Sequence, residues 1–225
     1  MRSLVKSLFM KKILALLALA SVVFVAHAQT KSDPDAKSIL DAVSAKFKTF
    51  KSPQATFTYK IENAAGKALS TKQGTVFMKG NKYRVSIGGQ EIFSDGTTVW
   101  TYDKSTNEVT VTKLDNSANA LTPQKLFSNF YDKDFLYKLN GETKQGGKTL
   151  QEIEMTPVDK TRPFHKVYVL VDKATKTLYS TKVLEKNGNR YSYTVTKLNP
   201  NASVSDASFV FDKSKYPGVE VVDLR

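Results

Sequence analysis

The feature that most constrains this chain is a change of apolar period at Pro53. Before it, Ile39, Leu40, Val43, Phe47 and Phe50 recur at helical spacing and form one stripe. Ser32, Asp33 and Pro34 supply a cap followed by proline at an early helical position, so a helix is predicted over about 34–50. After Pro53 the period is two. Phe57, Tyr59 and Ile61 alternate with Thr58 and Lys60, Val76 and Met78 share a face, and Tyr83, Val85 and Ile87 alternate with Arg84 and Ser86. Turn signals recur, among them Ser94-Asp95-Gly96 and Asn187-Gly188. The strands break once, at a second helical stretch after Thr122-Pro123 that carries Leu126, Phe127 and Phe130. They resume at Phe135 and end near Phe209 and Phe211. About eleven short strands with two helices describe an α+β, mainly β chain whose antiparallel meander closes into a barrel or a strongly curved sheet. No linker separates two cores, so residues 29–225 are expected to form a single domain.

The first 28 residues read as an address. Lys11 and Lys12 precede an uncharged run from Ile13 to Val25, and Ala26-His27-Ala28 places small residues where a signal peptidase cuts. The run is shorter than the roughly 20 residues a bilayer span needs. A signal peptide cleaved after Ala28 and an exported protein are expected. With no cysteine in 225 residues, disulfide scaffolds, thiolate metal sites, cysteine nucleophiles and a lipidated N-terminal cysteine are excluded. The net charge of +13 comes mostly from lysine. Nucleic-acid readers favour arginine for bidentate contacts, so the lysines read as solvated strand faces and no nucleic-acid partner is expected. A weak attraction to anionic lipid surfaces is the milder functional reading.

Nothing in the sequence assembles a catalytic set. Glu152 and Glu154 sit at the spacing of neighbouring exposed strand residues, not of two carboxylates across a cleft. His165 follows Arg162-Pro163 without a serine or aspartate arrangement around it. No G-x-S-x-G, P-loop or G-x-G-x-x-G is present. The chain is read as a non-enzyme that calls for no metal and no cofactor. What remains is apolar: a curved sheet incompletely covered by amphipathic helices leaves a hollow, and such hollows suit flexible acyl chains. Candidate lining residues are Leu40, Val43, Phe47, Phe57, Tyr59, Val76, Met78, Tyr83, Val85, Phe93, Trp100, Tyr102, Phe127 and Phe130. For each of them ordinary core packing is the competing explanation.

Three segments carry a resemblance. They are Gly74 to Lys79 followed by Tyr83-Arg84; Ile92 to Gly96 with Val99, Trp100, Tyr102 and Asp103; and Phe209 and Phe211 followed by Pro217 to Asp223. In order and spacing, together with the two helices, they resemble the periplasmic outer-membrane lipoprotein carrier family, the LolA-like proteins, over about residues 36–223. The resemblance implies an unclosed antiparallel β-barrel with helices as a lid over a hydrophobic cavity. It implies acylated lipoproteins as cargo, an inner-membrane lipoprotein-releasing transporter as donor, an outer-membrane acceptor, a periplasmic location and a monomer. An apolar pocket of about 300 Å³ or more between sheet and helices is expected.

One position departs from the family's pattern. Many members carry an arginine just after the strand matching Gly74 to Lys79, where it latches the lid. Here the place holds Gly80, flanked by Lys79 and Lys82. A lysine does that job, or the latch is absent, or the match slips across the turn. Two other readings stand beside the carrier: an envelope sensor or regulatory lipid-binding domain of the same half-barrel type, and an exported enzyme of unknown chemistry. The lack of cysteine argues against the membrane-anchored acceptor that shares the fold by resemblance.

Overall fold

A computed structural model of the protein describes residues 32–115 and 131–225. The first helix, α1 (Pro34–Lys48), starts where the cap signal placed it. Asp33 caps it by accepting from the Asp35 backbone N–H at 2.8 Å. The same carboxylate accepts the Leu139 N–H at 2.9 Å, and the Asp33 N–H donates to the Tyr137 carbonyl. One aspartate thus ends the helix and pins it to a strand edge. These backbone donors, Leu139 foremost, hold the Asp33 carboxyl below the usual range. Thr49 closes the other end by returning its N–H to the last turn, and Phe50 lies just beyond the helix.

Twelve strands follow: β1 (Gln54–Glu62), β2 (Ala68–Lys79), β3 (Lys82–Ile87), β4 (Gln90–Ser94), β5 (Thr98–Asp103), β6 (Glu108–Lys113), β7 (Phe135–Gln145), β8 (Lys148–Pro157), β9 (Phe164–Asp172), β10 (Thr177–Glu185), β11 (Arg190–Asn199) and β12 (Glu220–Asp223). They form one sheet in the order β12-β6-β5-β4-β3-β2-β1-β11-β10-β9-β8-β7. Its two outermost strands, β12 and β7, do not pair, so the sheet is unclosed. Among the described residues the pairings between these strands are antiparallel except β12 on β6, which is parallel. The expected count of eleven falls one short, because Glu220 to Asp223 form a strand. The tail returns from the 3-10 turns Asp206–Phe209 and Lys213–Lys215 to run beside β6. Among the described residues a one-turn helix, α2 (Tyr131–Asp134), precedes β7. The helix expected after Thr122-Pro123, with Phe127 and Phe130, lies outside the described residues, as do the signal peptide and its cleavage site.

Strand alternation divides the sheet into two faces, and the register shows which residues share each. On one face lie the rows Ala55–Val76–Val85–Ile92 and Phe57–Gly74–Ile87. Across the β1–β11 seam the same face carries Tyr59–Tyr193–Thr181–Val169–Ile153–Leu139. Helix α1 packs here, burying Ala36, Leu40 and Val43 against Tyr137, Ile153, Met155, Val167 and Val169. The opposite face carries the row Phe77–Arg84–Phe93–Trp100–Val111. It is covered by the C-terminal tail, whose Phe211, Tyr216 and Val219 pack on Trp100, Tyr102 and Val109.

Candidate functional site

The helix-side face is the candidate site. Its centre is built by β1 to β4, and between Ala55 and Ile92 its rows hold no ionised side chain. Phe57 can lie flat over β2 because its partner is glycine. A Cβ at Gly74 would sit 2.4 Å from the Phe57 ring. Met78 and Tyr83 are buried beside it, with the Tyr83 hydroxyl partnered by Ser94. Val85, Ile87 and Ile92 pack against this cluster but are only half-buried among the described residues. At the seam Tyr59 stacks on Tyr193 with ring centroids 4.8 Å apart and on Tyr191 at 6.2 Å. Burial pushes the Tyr59 and Tyr193 hydroxyls above the ordinary tyrosine range, so both stay neutral at physiological pH. Tyr193 nevertheless keeps 39% of its surface exposed.

Between α1 and the sheet the apolar lining is nearly closed. Val43, Phe47 and Phe50 from the helix end meet Ala55, Met78, Leu178, Val195 and Leu198 around a hollow of about 20 Å³. That volume holds one water-sized body, not a ligand. Among the described residues this slot does not reach the 300 Å³ expected between sheet and helix, because Phe47 and Phe50 pack edge-to-face at 5.7 Å and fill it. A space of about 310 Å³ does occur, but mostly on the other face, with Thr56, Gln73, Thr75, Ser86, Glu91 and Lys104 beside Ile87 and Tyr102 in its mixed lining.

The candidate lining set is divided. Leu40, Val43, Phe47, Phe57, Tyr59, Val76, Met78, Tyr83 and Val85 come together on the helix-side face. Phe93, Trp100 and Tyr102 do not: the register puts them on the tail side, one residue out of phase. Phe93 meets Phe211 edge-to-face at 5.8 Å, and Tyr102 lies 4.5 Å from the Tyr216 ring. The tail that covers them is part of the chain's own core, with Phe209 fully buried. The sequence reading missed Ile87, Ile92, Tyr191 and Tyr193, all on the helix-side face. In β4 both Ile92 and Phe93 are apolar, so alternation alone cannot choose between them; only the pairing with Val85 does.

The latch position also resolves. Gly80 has φ 57° and is the first central residue of the two-residue turn joining β2 and β3, a place that favours glycine. Lys79 and Lys82 both reach Asp206 on the tail side, at 2.6 and 2.8 Å. Arg84, also on that side, pairs with Glu91 at 2.6 Å. None of the three cations faces the helix. The two carboxylates weighed for catalysis are engaged by neighbouring side chains. Glu154 pairs with Lys166, whose hydrogen bond holds the carboxyl below its usual range, Glu152 accepts from Asn140, and His165 is exposed.

Residues 48–212 match the family model described as outer membrane lipoprotein carrier protein LolA. The chain belongs to this family. The outer-membrane lipoprotein carrier protein of Yersinia enterocolitica is 30% identical over 220 residues, which span 96% of this chain and all of that one. The carrier protein of Cupriavidus pinatubonensis is 31% identical over 70% of this chain and 74% of its own. A solved structure of an uncharacterized conserved protein from Thermus thermophilus superposes with a TM-score of 0.57 at 14% identity. It covers 84% of this chain and 99% of that one, a likeness of fold. Membership in a family of lipoprotein carriers makes this chain a binding protein rather than an enzyme.

Proposed function

We propose that this LolA-family chain shields the acyl chains of lipoproteins on its helix-side face and carries them through the periplasm from the inner to the outer membrane. The observation that supports this best is the half-buried, uncharged row Val85–Ile92 with Ile87, beside the tyrosine stack. An exposed acyl chain costs about 0.8 kcal/mol per CH₂, so cargo with several chains does not cross water unshielded. A surface with few hydrogen-bonding groups holds such chains by area, and lets them go to an acceptor that covers more of them.

In this reading the slot of about 20 Å³ under Phe47 and Phe50 is the closed state. Loading displaces those rings and widens the slot toward Phe57 and Tyr59, so the apolar pocket is one that the ligand itself makes dominant. The chain acts as a monomer after loss of residues 1–28, loaded by an inner-membrane releasing transporter and unloaded by an outer-membrane acceptor. The test is to purify the protein from the cell envelope and examine it by native mass spectrometry for bound lipoprotein, then to present an acylated and a non-acylated form of one lipoprotein. Uptake confined to the acylated form is expected. No uptake of either overturns the reading, and a stable complex with a membrane-embedded signalling protein without lipid uptake favours the sensor alternative.

A further inference from the structure

The end of α1 carries the sequence Lys46-Phe47-Lys48-Thr49-Phe50-Lys51, in which every lysine is exposed and both phenylalanines are half-buried. The β9–β10 turn brings Lys176 to the same place: Lys46 and Lys176 both line the slot that Phe47 and Phe50 fill. Some lysines elsewhere are held by carboxylates, as in Lys79 and Lys82 with Asp206, Lys148 with Asp172, Lys166 with Glu154 and Lys173 with Glu142, while others, such as Lys67 and Lys104, have no ion pair among the described residues; what sets the α1 end apart is free lysines beside half-buried apolar rings. Among the described residues Lys46, Lys48, Lys51 and Lys176 have no ion-pair partner. Asp41 feels Lys48 at a distance but is engaged by Lys37 and by the Tyr131 hydroxyl. Asp172, at the start of the same turn, is buried and taken by Lys148 and the turn's backbone.

We infer that this basic, aromatic end of α1 docks the protein on an anionic phospholipid bilayer, with the four ammonium groups on the headgroups and the Phe47–Phe50 pair at the level of the interface. Charge complementarity selects the occupant. Two unneutralised lysines, Lys46 and Lys176, in the rim of an apolar slot, and two more, Lys48 and Lys51, flanking its phenylalanines in the chain, match a negative surface, and each lysine near such a surface contributes attraction that falls off within a Debye length. Lysine stems can lie along the apolar rim while their ammonium groups stay in water. The placement has a consequence for the slot, since the same contact that seats Phe47 and Phe50 in the interface would draw them out of the space they fill. Lys46 and Lys48 also offset the helix dipole, a role that predicts a change in stability but none in lipid binding.

The test is co-sedimentation of the protein, purified from the cell envelope with its N-terminus read by mass spectrometry, with vesicles of phosphatidylglycerol and phosphatidylcholine or of phosphatidylcholine alone. Binding to the anionic vesicles that weakens as salt is raised is expected. Changing Lys46, Lys48, Lys51 and Lys176 together to glutamine should weaken it at least about tenfold, while changing the four to arginine should keep it. A second glutamine set at Lys67, Lys104, Lys144 and Lys213 removes the same net charge from elsewhere and should leave most of the binding. Thermal melts of each set separate lost binding from lost fold. Equal binding to neutral vesicles, no binding at low salt, or equal losses from the two glutamine sets would overturn the inference. None of these readouts uses a lipoprotein, so the docking surface and the carrier reading fail independently.

Discussion

Strands β3 to β5 present apolar residues on both sides, and the two sides meet different fates. On the tail side Phe93, Trp100 and Tyr102 are covered by Phe211, Tyr216 and Val219 from the chain's own C-terminus, anchored by the buried Phe209. On the helix side Val85, Ile87 and Ile92, from the same strands, are only half-covered by described residues. Composition does not separate these patches. What separates them, among the described residues, is how completely the molecule covers each with its own side chains. The patch sealed by the tail is structural, and the patch left half-covered by described residues is the one the proposed function offers to acyl chains.

The sharpest way to break this comparison is on the sealed side. Phe209→Ala removes a fully buried ring from the covering and should cost about 3–5 kcal/mol. For a chain of this size that lowers the melting temperature by about 10 °C in a calorimetric scan. Below the melt, binding of a fluorescent acyl probe should be unchanged. A variant that melts normally but loses the probe would exchange the roles of the two faces.

On the helix side Gly74→Val puts a side chain where the Phe57 ring lies, with even its Cβ only 2.4 Å away. Overpacking of this kind costs about 1–3 kcal/mol, and the displaced ring should perturb probe affinity as well as the melt. A smaller and more local comparison uses adjacent residues. Val85 and Ser86 are neighbours in β3 on opposite faces, Val85 against Ile92 and Ser86 against Glu91. Val85→Asn sets an amide in the acyl path and should weaken the probe about tenfold, the order expected for burying an unpaired polar group. Ser86→Asn should leave probe affinity unchanged in the same fluorescence titration. Equal effects from the two would mean that the probe does not distinguish the faces.

The division explains what could be read from the sequence. Helix α1 was legible to its cap, because Asp33-Pro34 and the apolar stripe are local signals. The meander was legible because its turns are marked by glycine, asparagine and aspartate at short spacing. The face of each aromatic was not. Phe93 and Trp100 sit in runs where adjacent residues are also apolar, and a shift of one residue sends a side chain to the other side of the sheet. Nor was the tail's return legible. Glu220 to Asp223 is a short strand whose parallel partner β6 lies more than a hundred residues earlier, a pairing set by packing of Phe211 and Tyr216. The size of the slot was equally out of reach, since it depends on how two rings of α1 lie against Met78 and Leu178.

The smallest expected effect tests what fastens the tail. The Asp206 carboxylate takes both Lys79 and Lys82, and these two hydrogen bonds, with the charges behind them, hold its pKa down to about 2 from an ordinary 3.8. A carboxyl depressed in the folded state stabilises it above the unfolded value, and that contribution is lost as pH falls through the folded one. Wild-type protein should therefore exceed Asp206→Asn in melting temperature at neutral pH, with the gap closing between about pH 4 and pH 2. The gap should be small and shrink in high salt, because all three groups are exposed to solvent. A large, salt-insensitive gap would mean that the ion pairs, rather than Phe209 and its aromatic neighbours, hold the covering in place. The sealed face would then be a clasp that acid can open, and the contrast between the two sides would be one of degree.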